Sequence, residues 1–77
     1  MAIVKVYSTP ACVYCVMAKK FLAENNIPFE EIDVSLSQSA AQEMINKSGQ
    51  MGVPVIDIDG KIFVGFDRAG IKKALGL

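Results

Sequence analysis

The sequence predicts an α/β fold in which one mixed four-stranded sheet carries helices on both faces. Segments typical of strands and helices alternate along the first half of the 77-residue chain, which indicates a parallel βαβ unit with a right-handed crossover. In the second half, Asp59-Gly60 joins two strand-like runs, and this pair favours a tight antiparallel hairpin. A segment with helical spacing follows the hairpin. The length leaves room for a single domain, residues 1–77.

The first half is predicted as strand, helix and strand. Residues 2–7 are almost entirely apolar, as expected of a strand that is buried on both faces. A helix is predicted over residues 16–25, and Pro28 cannot continue it. Residues 29–34 form the second strand, where two adjacent glutamates break the alternation, so we expect it near a sheet edge. The side chains predicted to face the core from the first helix are Cys15, Ala18, Phe21 and Leu22.

The second half is predicted as helix, hairpin and helix. Ser35 or Ser37 caps a helix that runs to about Lys47 and ends at Ser48-Gly49. Its predicted buried stripe consists of Leu36, Ala40, Ala41, Met44 and Ile45. The hairpin strands are residues 55–58 and 61–64. Asp57 in the first of them is a buried acid, or it lies on a poorly covered face or pairs with a lysine, and the last two are favoured. Asp67 is the predicted N-cap of the last helix, whose buried face contains Ile71, Ala74 and Leu75.

The only two cysteines, Cys12 and Cys15, stand in Cys-x-x-Cys spacing where the first strand turns into a helix. The first N–H groups of a helix lack partners and carry the positive end of its dipole, so they stabilise an anion placed there. This position favours the thiolate of Cys12, which is the nucleophilic form. Cys15 follows on the same side and can attack a mixed disulfide formed at Cys12. The pattern indicates a dithiol–disulfide exchange site.

A Cys-x-x-Cys pair can also form a structural disulfide or bind a metal ion. A structural disulfide would close a very short loop and contribute only ~2 kcal/mol on the chain-entropy model. A closed zinc site needs four ligands, whereas the chain has two cysteines and no histidine. The alternative hypothesis is therefore a metal or iron–sulfur carrier that is assembled between two chains. For the single chain we expect no metal site.

Composition argues against several classes of partner. Eight basic residues balance eight acidic ones, so no global field favours nucleic acid or a membrane surface. No apolar run approaches the ~20 residues of a membrane span, and no signal sequence is recognisable at the N-terminus. We therefore expect a cytoplasmic protein. In a reducing compartment two closely spaced cysteines indicate catalysis or metal binding rather than a structural disulfide.

Three segments carry a resemblance to a known family. They are Tyr-Ser-Thr-Pro-Ala-Cys-Val-Tyr-Cys at residues 7–15, Gly-Val-Pro at 52–54 and Val-Gly-Phe-Asp at 64–67. The chain resembles a glutaredoxin over essentially its whole length, and most of all the small glutaredoxin-like redoxins, some of which serve ribonucleotide reductase. The resemblance implies a thioredoxin fold, with Cys12 as attacking thiol and Cys15 as resolving thiol. It also implies a cis Val53–Pro54 bond and a set of substrate-binding residues, Tyr14, Val53, Pro54, Gly65 and Asp67.

The chain also departs from the glutaredoxins that use glutathione. Val13 stands where they usually have proline, and Thr9 and Gln50 stand where they often have basic residues. Glutathione has two carboxylates, and a hydrogen bond to a charged group is worth ~1.5–3 kcal/mol. We therefore expect a thioredoxin-reductase-type flavoenzyme to reduce the protein, with glutathione as the alternative co-substrate. The expected substrates are protein or small-molecule disulfides, and no bound cofactor is expected.

Overall fold

The computed structural model describes residues 3–77 and contains one mixed four-stranded sheet. The strand order is β2-β1-β3-β4; β1 pairs parallel with β2 and antiparallel with β3, and β3 pairs antiparallel with β4. Both the α/β class and the mixed sheet are as predicted. In chain order the elements are β1 Val4–Ser8, α1 Val13–Glu24, β2 Glu30–Asp33, α2 Gln38–Ser48, β3 Val55–Ile58, β4 Lys61–Val64 and α3 Arg68–Ala74.

The two faces of the sheet are covered by different helices, because successive side chains on a strand point to opposite faces. On one face Val6 of β1 and Ile56 of β3 pack with residues of α1 and α3, including Leu22 and Ile71. On the other face, β1 and β3 supply Tyr7 and Val55, which pack with Met44 of α2. Helices therefore lie on both faces, as predicted.

The edge position predicted for the second strand is correct. Glu30 and Glu31 of β2 are exposed, and β2 pairs only with β1 within the described sheet. Lys19 of α1 binds the Glu31 carboxylate at 3.1 Å and so ties the crossover helix to this edge.

The hairpin between β3 and β4 is also confirmed. Asp59 and Gly60 have φ values of 51° and 92°, the positive values that match the twist of a two-residue hairpin. The Gly60 N–H donates to the Asp57 side chain at 2.8 Å, which strengthens the turn. The strand register places Val55 opposite Val64.

The structure corrects the predicted start of the first helix. The spacing predicted residues 16–25, with Cys12 at or just before the first turn. The helix α1 begins at Val13 and the side chain of Cys12 is its N-cap, so the place of Cys12 is confirmed and the helix starts three residues earlier than residue 16. Cysteine is not among the residues that commonly cap helices, so the residue type at position 12 did not predict an N-cap. The four side chains predicted to face the core from α1 are all buried. For β1, residue 2 of the predicted strand lies outside the described residues, and the strand extends to Ser8.

The second helix is partly as predicted. Ser37, rather than Ser35, caps α2 by accepting a hydrogen bond from Ala40 N–H at 3.2 Å, and Gly49 ends the helix with a φ of 74°. Leu36 was wrongly assigned to its buried stripe. It precedes the helix and is 84% exposed, whereas Met44 is the buried residue of α2. In α3 the predicted cap is confirmed, since Asp67 accepts a hydrogen bond from Gly70 N–H at 3.1 Å.

Candidate active site

Cys12 lies at the N-terminus of α1, as the spacing predicted, and its sulfur makes the capping contact. The Cys12 Sγ accepts a hydrogen bond from the Cys15 N–H at 3.1 Å. The side chain is only partly buried, so a second sulfur can approach it from solvent. The unpaired N–H groups and the dipole of α1 both stabilise negative charge at this atom. The geometry therefore makes the Cys12 sulfur the accessible nucleophile of the pair.

Cys15 occupies the opposite environment, one turn further along α1. It has no exposed surface. Burial raises the pKa of its thiol from 9.0 to about 11, and the hydrogen bond with Cys12 adds to this effect. Both cysteines are free thiols in the structure. One thiol is thus accessible, and the other is held protonated and covered behind it.

The loop before β3 brings backbone polar groups to Cys12. The Val53 carbonyl oxygen lies 3.8 Å from the Cys12 Sγ and accepts its S–H. The Val53–Pro54 bond is cis, as the resemblance implied. The Pro54 carbonyl in turn accepts a hydrogen bond from the Gly65 N–H at 2.8 Å. The structure therefore brings Cys12, Cys15, Val53, Pro54 and Gly65 into one connected region.

The other two predicted substrate-binding residues flank this region differently. Tyr14 is 63% exposed on the outer surface of α1, between the two cysteines. Asp67 follows Gly65 by two residues, and its carboxylate is used to cap α3. Binding of substrate by Tyr14 and Asp67 stays a prediction.

Exposed apolar side chains on α1 and on the loop that carries Val53 form what we call the apolar rim. We use this name for five exposed apolar side chains that lie on α1 and on the loop before β3, namely Val13, Tyr14, Val16, Met17 and Met51. Met51 is 78% exposed, the largest exposure of the five. Adjacent exposed apolar side chains are characteristic of surfaces that contact other proteins.

Sequence reasoning missed the contacts of Gln50, which it considered only as a missing positive charge. The Gln50 carboxamide accepts a hydrogen bond from the Gly52 N–H and donates one to the Gly52 carbonyl, both at 2.8 Å. A glutamine two residues before a glycine, next to Val53-Pro54, is the only sequence signal for this arrangement. Thr9 is partly buried, and its carbonyl accepts a hydrogen bond from the Cys12 N–H at 3.3 Å.

Within residues 3–77 no three cysteine, histidine, aspartate or glutamate side chains converge on a point that would hold a metal ion. The cysteine pair would supply two ligands, so a metal centre would need further ligands from outside the chain. In the same part of the chain, no helix has the length and apolar character to cross a membrane.

The chain is similar to glutaredoxins and glutaredoxin-like proteins. The glutaredoxin family model matches residues 4–64. A glutaredoxin-like 8.6 kDa protein in the rubredoxin operon of Clostridium pasteurianum is 44% identical over 94% of this chain and 96% of its own. The glutaredoxin-like protein NrdH of Lactococcus lactis is 37% identical over 91% of this chain and 96% of its own. Among solved structures, a thioredoxin-like protein superimposes with a TM-score of 0.87 at 31% identity, covering 92% of this chain and 97% of that one.

Proposed function

We propose, because this chain belongs to the glutaredoxin family of thiol-disulfide oxidoreductases, that Cys12 and Cys15 reduce disulfides by a dithiol mechanism. The observation that carries the proposal is the contrast between the two thiols. Cys12 is accessible and its sulfur caps α1, whereas Cys15 is buried and its pKa is raised to about 11. This contrast separates an attacking thiol from a resolving thiol.

The first step is attack of the Cys12 thiolate on one sulfur of the substrate disulfide. A Cys12–substrate disulfide forms, the substrate S–S bond breaks, and the departing thiolate takes a proton from water or from Cys15. Cys15, having lost its proton, then attacks the Cys12 sulfur and releases the second substrate sulfur as a thiolate, which is protonated. The substrate gains two electrons and two protons, and the protein is left with a Cys12–Cys15 disulfide. No bound cofactor is needed for these steps.

The substrate class follows from what surrounds Cys12. The Val53 backbone beside the thiol offers strand-like hydrogen bonds to an extended peptide. The apolar rim suits the surface of a protein better than that of a small charged disulfide. We therefore propose protein disulfides as substrates, with Tyr14, Val53, Pro54, Gly65 and Asp67 as the binding residues.

We further propose that a thioredoxin-reductase-type flavoenzyme, in the cytoplasm, restores the dithiol. The support is the absence of a cation at Thr9 and at Gln50, since glutathione presents two carboxylates. The Gln50 carboxamide is in addition engaged with Gly52. Glutathione is the alternative reductant and would need other partners for its carboxylates.

Substitution of each cysteine tests the assigned roles. Cys15→Ser should accumulate a mixed disulfide with an oxidised protein such as insulin, because the resolving step is lost. Cys12→Ser should form none, because the remaining thiol is buried. Both are measured by non-reducing mass spectrometry after acid quenching. A Cys15→Ser protein that completes reduction as fast as the unsubstituted protein would remove the resolving role from Cys15.

A comparison of electron donors tests the reductant. The oxidised protein is incubated with NADPH and either thioredoxin reductase or glutathione plus glutathione reductase, and NADPH consumption is followed. We expect thioredoxin reductase to be the faster donor. Thr9→Lys should raise the rate with glutathione about tenfold or more, the equivalent of one contact to a charged group, and salt should reduce this gain. Fast turnover of the unsubstituted protein with glutathione and none with thioredoxin reductase would assign the role to glutathione and leave the dithiol chemistry unaffected.

A further inference from the structure

The segment between α2 and β3 places the Val53 carbonyl next to Cys12, and one side chain closes this segment on itself. Gln50 Oε1 accepts from the Gly52 N–H, and Gln50 Nε2 donates to the Gly52 carbonyl, each at 2.8 Å. Both backbone polar groups of Gly52 are thus paired with the two ends of a single carboxamide. The mechanism of thiol exchange gives Gln50 no part.

Gly52 is the residue type that this pairing requires. A Cβ at position 52 would lie 2.7 Å from Gln50 Oε1, closer than real Cβ contacts come. A side chain there would displace the carboxamide, although the flexible glutamine could move aside without disturbing the fold. Gln50 and the bare backbone of Gly52 therefore act as one unit.

The two ends of the segment are fixed without the Gln50 carboxamide. At the start, the Gln50 N–H donates to the Ser48 hydroxyl at 3.3 Å. At the end, the Pro54 carbonyl accepts from the Gly65 N–H at 2.8 Å. Between these anchors the backbone is exposed or only partly buried, so its conformation depends on local hydrogen bonds. The pairing with Gln50 supplies two of them at Gly52.

We propose that Gln50 is a positioning residue, which holds the backbone beside Cys12 in the conformation that receives the substrate. Val53 directly follows Gly52, so rotation of the Gly52 backbone would move the Val53 carbonyl from its place 3.8 Å from the Cys12 sulfur. Gln50 acts through this backbone and not on the sulfur. The inference rests on the proposed function, because it concerns docking of the same disulfide substrate.

Docking of the disulfide substrate and the reactivity of the Cys12 thiol depend on different groups. The Cys12 sulfur is stabilised by the Cys15 N–H and the N-terminus of α1, neither of which depends on Gln50. Displacement of the Val53 carbonyl would remove only an acceptor of the Cys12 S–H, and not a group that stabilises the attacking sulfur. Loss of the carboxamide should therefore weaken substrate binding without lowering the reactivity of Cys12. A residue that only supported the fold would change neither quantity, or would change both together with stability.

The test uses the reduced full chain in single-turnover reactions with insulin as the disulfide substrate, over a range of insulin concentrations. Gln50→Ala should raise the half-saturating insulin concentration about three- to tenfold, the effect of one to two lost hydrogen bonds, with the maximal rate within twofold. Gly52→Ala should produce the same shift, because its methyl group displaces the carboxamide. The double variant should be no worse than the more affected single variant, since the two changes break the same unit.

Three controls keep the outcome interpretable. Alkylation of Cys12 by iodoacetamide should be no slower than half the unsubstituted rate in every variant. Gln42→Ala removes a glutamine that bonds Asn46 at 3.0 Å on the surface of α2, and it should leave insulin reduction unchanged. Gln50→Met, which keeps the length of the side chain without its polar end, replaces Gln50→Ala if that variant does not fold.

Two results would overturn the proposal. One is an unchanged half-saturating concentration in Gln50→Ala; the other is a double variant whose loss equals the product of the two single losses. Failure of the unsubstituted protein to reduce insulin would instead count against the proposed function itself, so the two kinds of failure are distinguishable.

Discussion

At the scale of single residues, Cys12 and Cys15 have the same side chain and are separated only by their surroundings. Cys12 is partly exposed at the N-terminus of α1, where its sulfur accepts a hydrogen bond from the Cys15 N–H. Cys15 is fully covered, and burial is the main cause of its raised pKa of about 11. Position within one helical turn thus creates the difference in accessibility and burial that the proposed mechanism requires.

This difference predicts selective alkylation of the folded, reduced protein. Near neutral pH, iodoacetamide should modify Cys12 more than about tenfold faster than Cys15, because Cys12 is accessible whereas Cys15 is buried and its pKa is raised to about 11. The modified sites are read by peptide mass spectrometry after short exposure. In denaturant both cysteines should react at similar rates, which serves as the control. Equal labelling of the two in the folded state would contradict the assignment of roles.

The residues of the site were predictable to different extents. The Cys-x-x-Cys spacing alone indicated exchange chemistry, and the helix N-terminus followed from the strand-like run before it. The closure of the loop by Gln50 was not predictable, because it depends on a two-residue backbone geometry that leaves no periodic pattern. The capping role of the Cys12 sulfur was not predicted either, because the side chains that commonly cap helices carry oxygen rather than sulfur.

At the scale of elements, α2 is attached to the sheet by a polar cluster as well as by apolar packing. Lys47 of α2 donates to the Asp57 carboxylate of β3 at 2.8 Å and to the Tyr7 hydroxyl of β1 at 2.9 Å. The Tyr7 hydroxyl donates to Glu43 at 3.0 Å. Burial alone would raise the pKa of Asp57, but the hydrogen bonds from Lys47 and the Gly60 N–H outweigh it and leave that pKa below 3.8. The predicted pairing of Asp57 with a lysine is therefore confirmed.

Removal of the lysine should leave the Asp57 charge without its partner on the α2 face. Lys47→Met is expected to lower the free energy of unfolding at pH 7 by about 1–3 kcal/mol, the cost of an unsatisfied buried polar group. The loss is measured by urea denaturation. Lys20→Met, at an exposed lysine of α1, is the matched control and should change stability by less than about 0.5 kcal/mol.

The pH dependence of this loss follows from the lowered pKa of Asp57. The pKa of Asp57 is lower in the folded protein than its unfolded value of 3.8, so the ionised carboxylate stabilises the fold above that pH. This stabilisation is lost as the pH falls through the folded pKa. The difference between Lys47→Met and the unsubstituted protein should therefore shrink as the pH is lowered from about 5 to about 2.5. Adding Asp57→Asn should recover part of the loss at pH 7. A difference that stayed constant over this pH range would show that Lys47 acts only through packing.

The elements themselves were predictable because each had a local signal. The apolar run of β1, the Asp59-Gly60 turn and the glycine after α2 all follow from backbone preferences of individual residues. Leu36 was misplaced because the helical spacing of its stripe continues past the cap at Ser37, so periodicity alone did not reveal where the helix begins. The packing of Tyr7 against α2 depends on contacts between distant segments and had no signal of its own.

At the scale of the whole molecule, the chain lacks histidine, the side chain that ordinarily titrates near neutral pH. The perturbed groups lie outside that range. The pKa of Asp57 is below 3.8, whereas the pKa of Cys15 is about 11 and that of Tyr7 is raised above 10.0, chiefly by burial. These three groups should therefore bind or release almost no protons when the chain folds near neutrality.

A flat stability profile is the resulting prediction. The melting temperature of the Cys12→Ser variant, which lacks the attacking thiol, should vary little between about pH 5.5 and about pH 8, and fall on either side. On the alkaline side, the unfolded chain loses the Cys15 proton near pH 9.0 while the folded chain keeps it until about 11, so stability declines over that interval. Calorimetry at fixed ionic strength measures the profile, and Cys15→Ala should flatten its alkaline part. A marked transition between pH 6 and 7.5 would contradict the prediction.

The glutamates of β2 have a consequence for how copies of the protein behave together at high concentration. An edge strand offers unpaired backbone groups to any other strand, and natural sheets protect such edges with charge. If two copies met through β2, Glu30 and Glu31 of one would approach the same carboxylates of the other, and like charges placed across a strand pair are destabilising. The two adjacent glutamates that indicated an edge strand therefore also disfavour pairing of two molecules through β2.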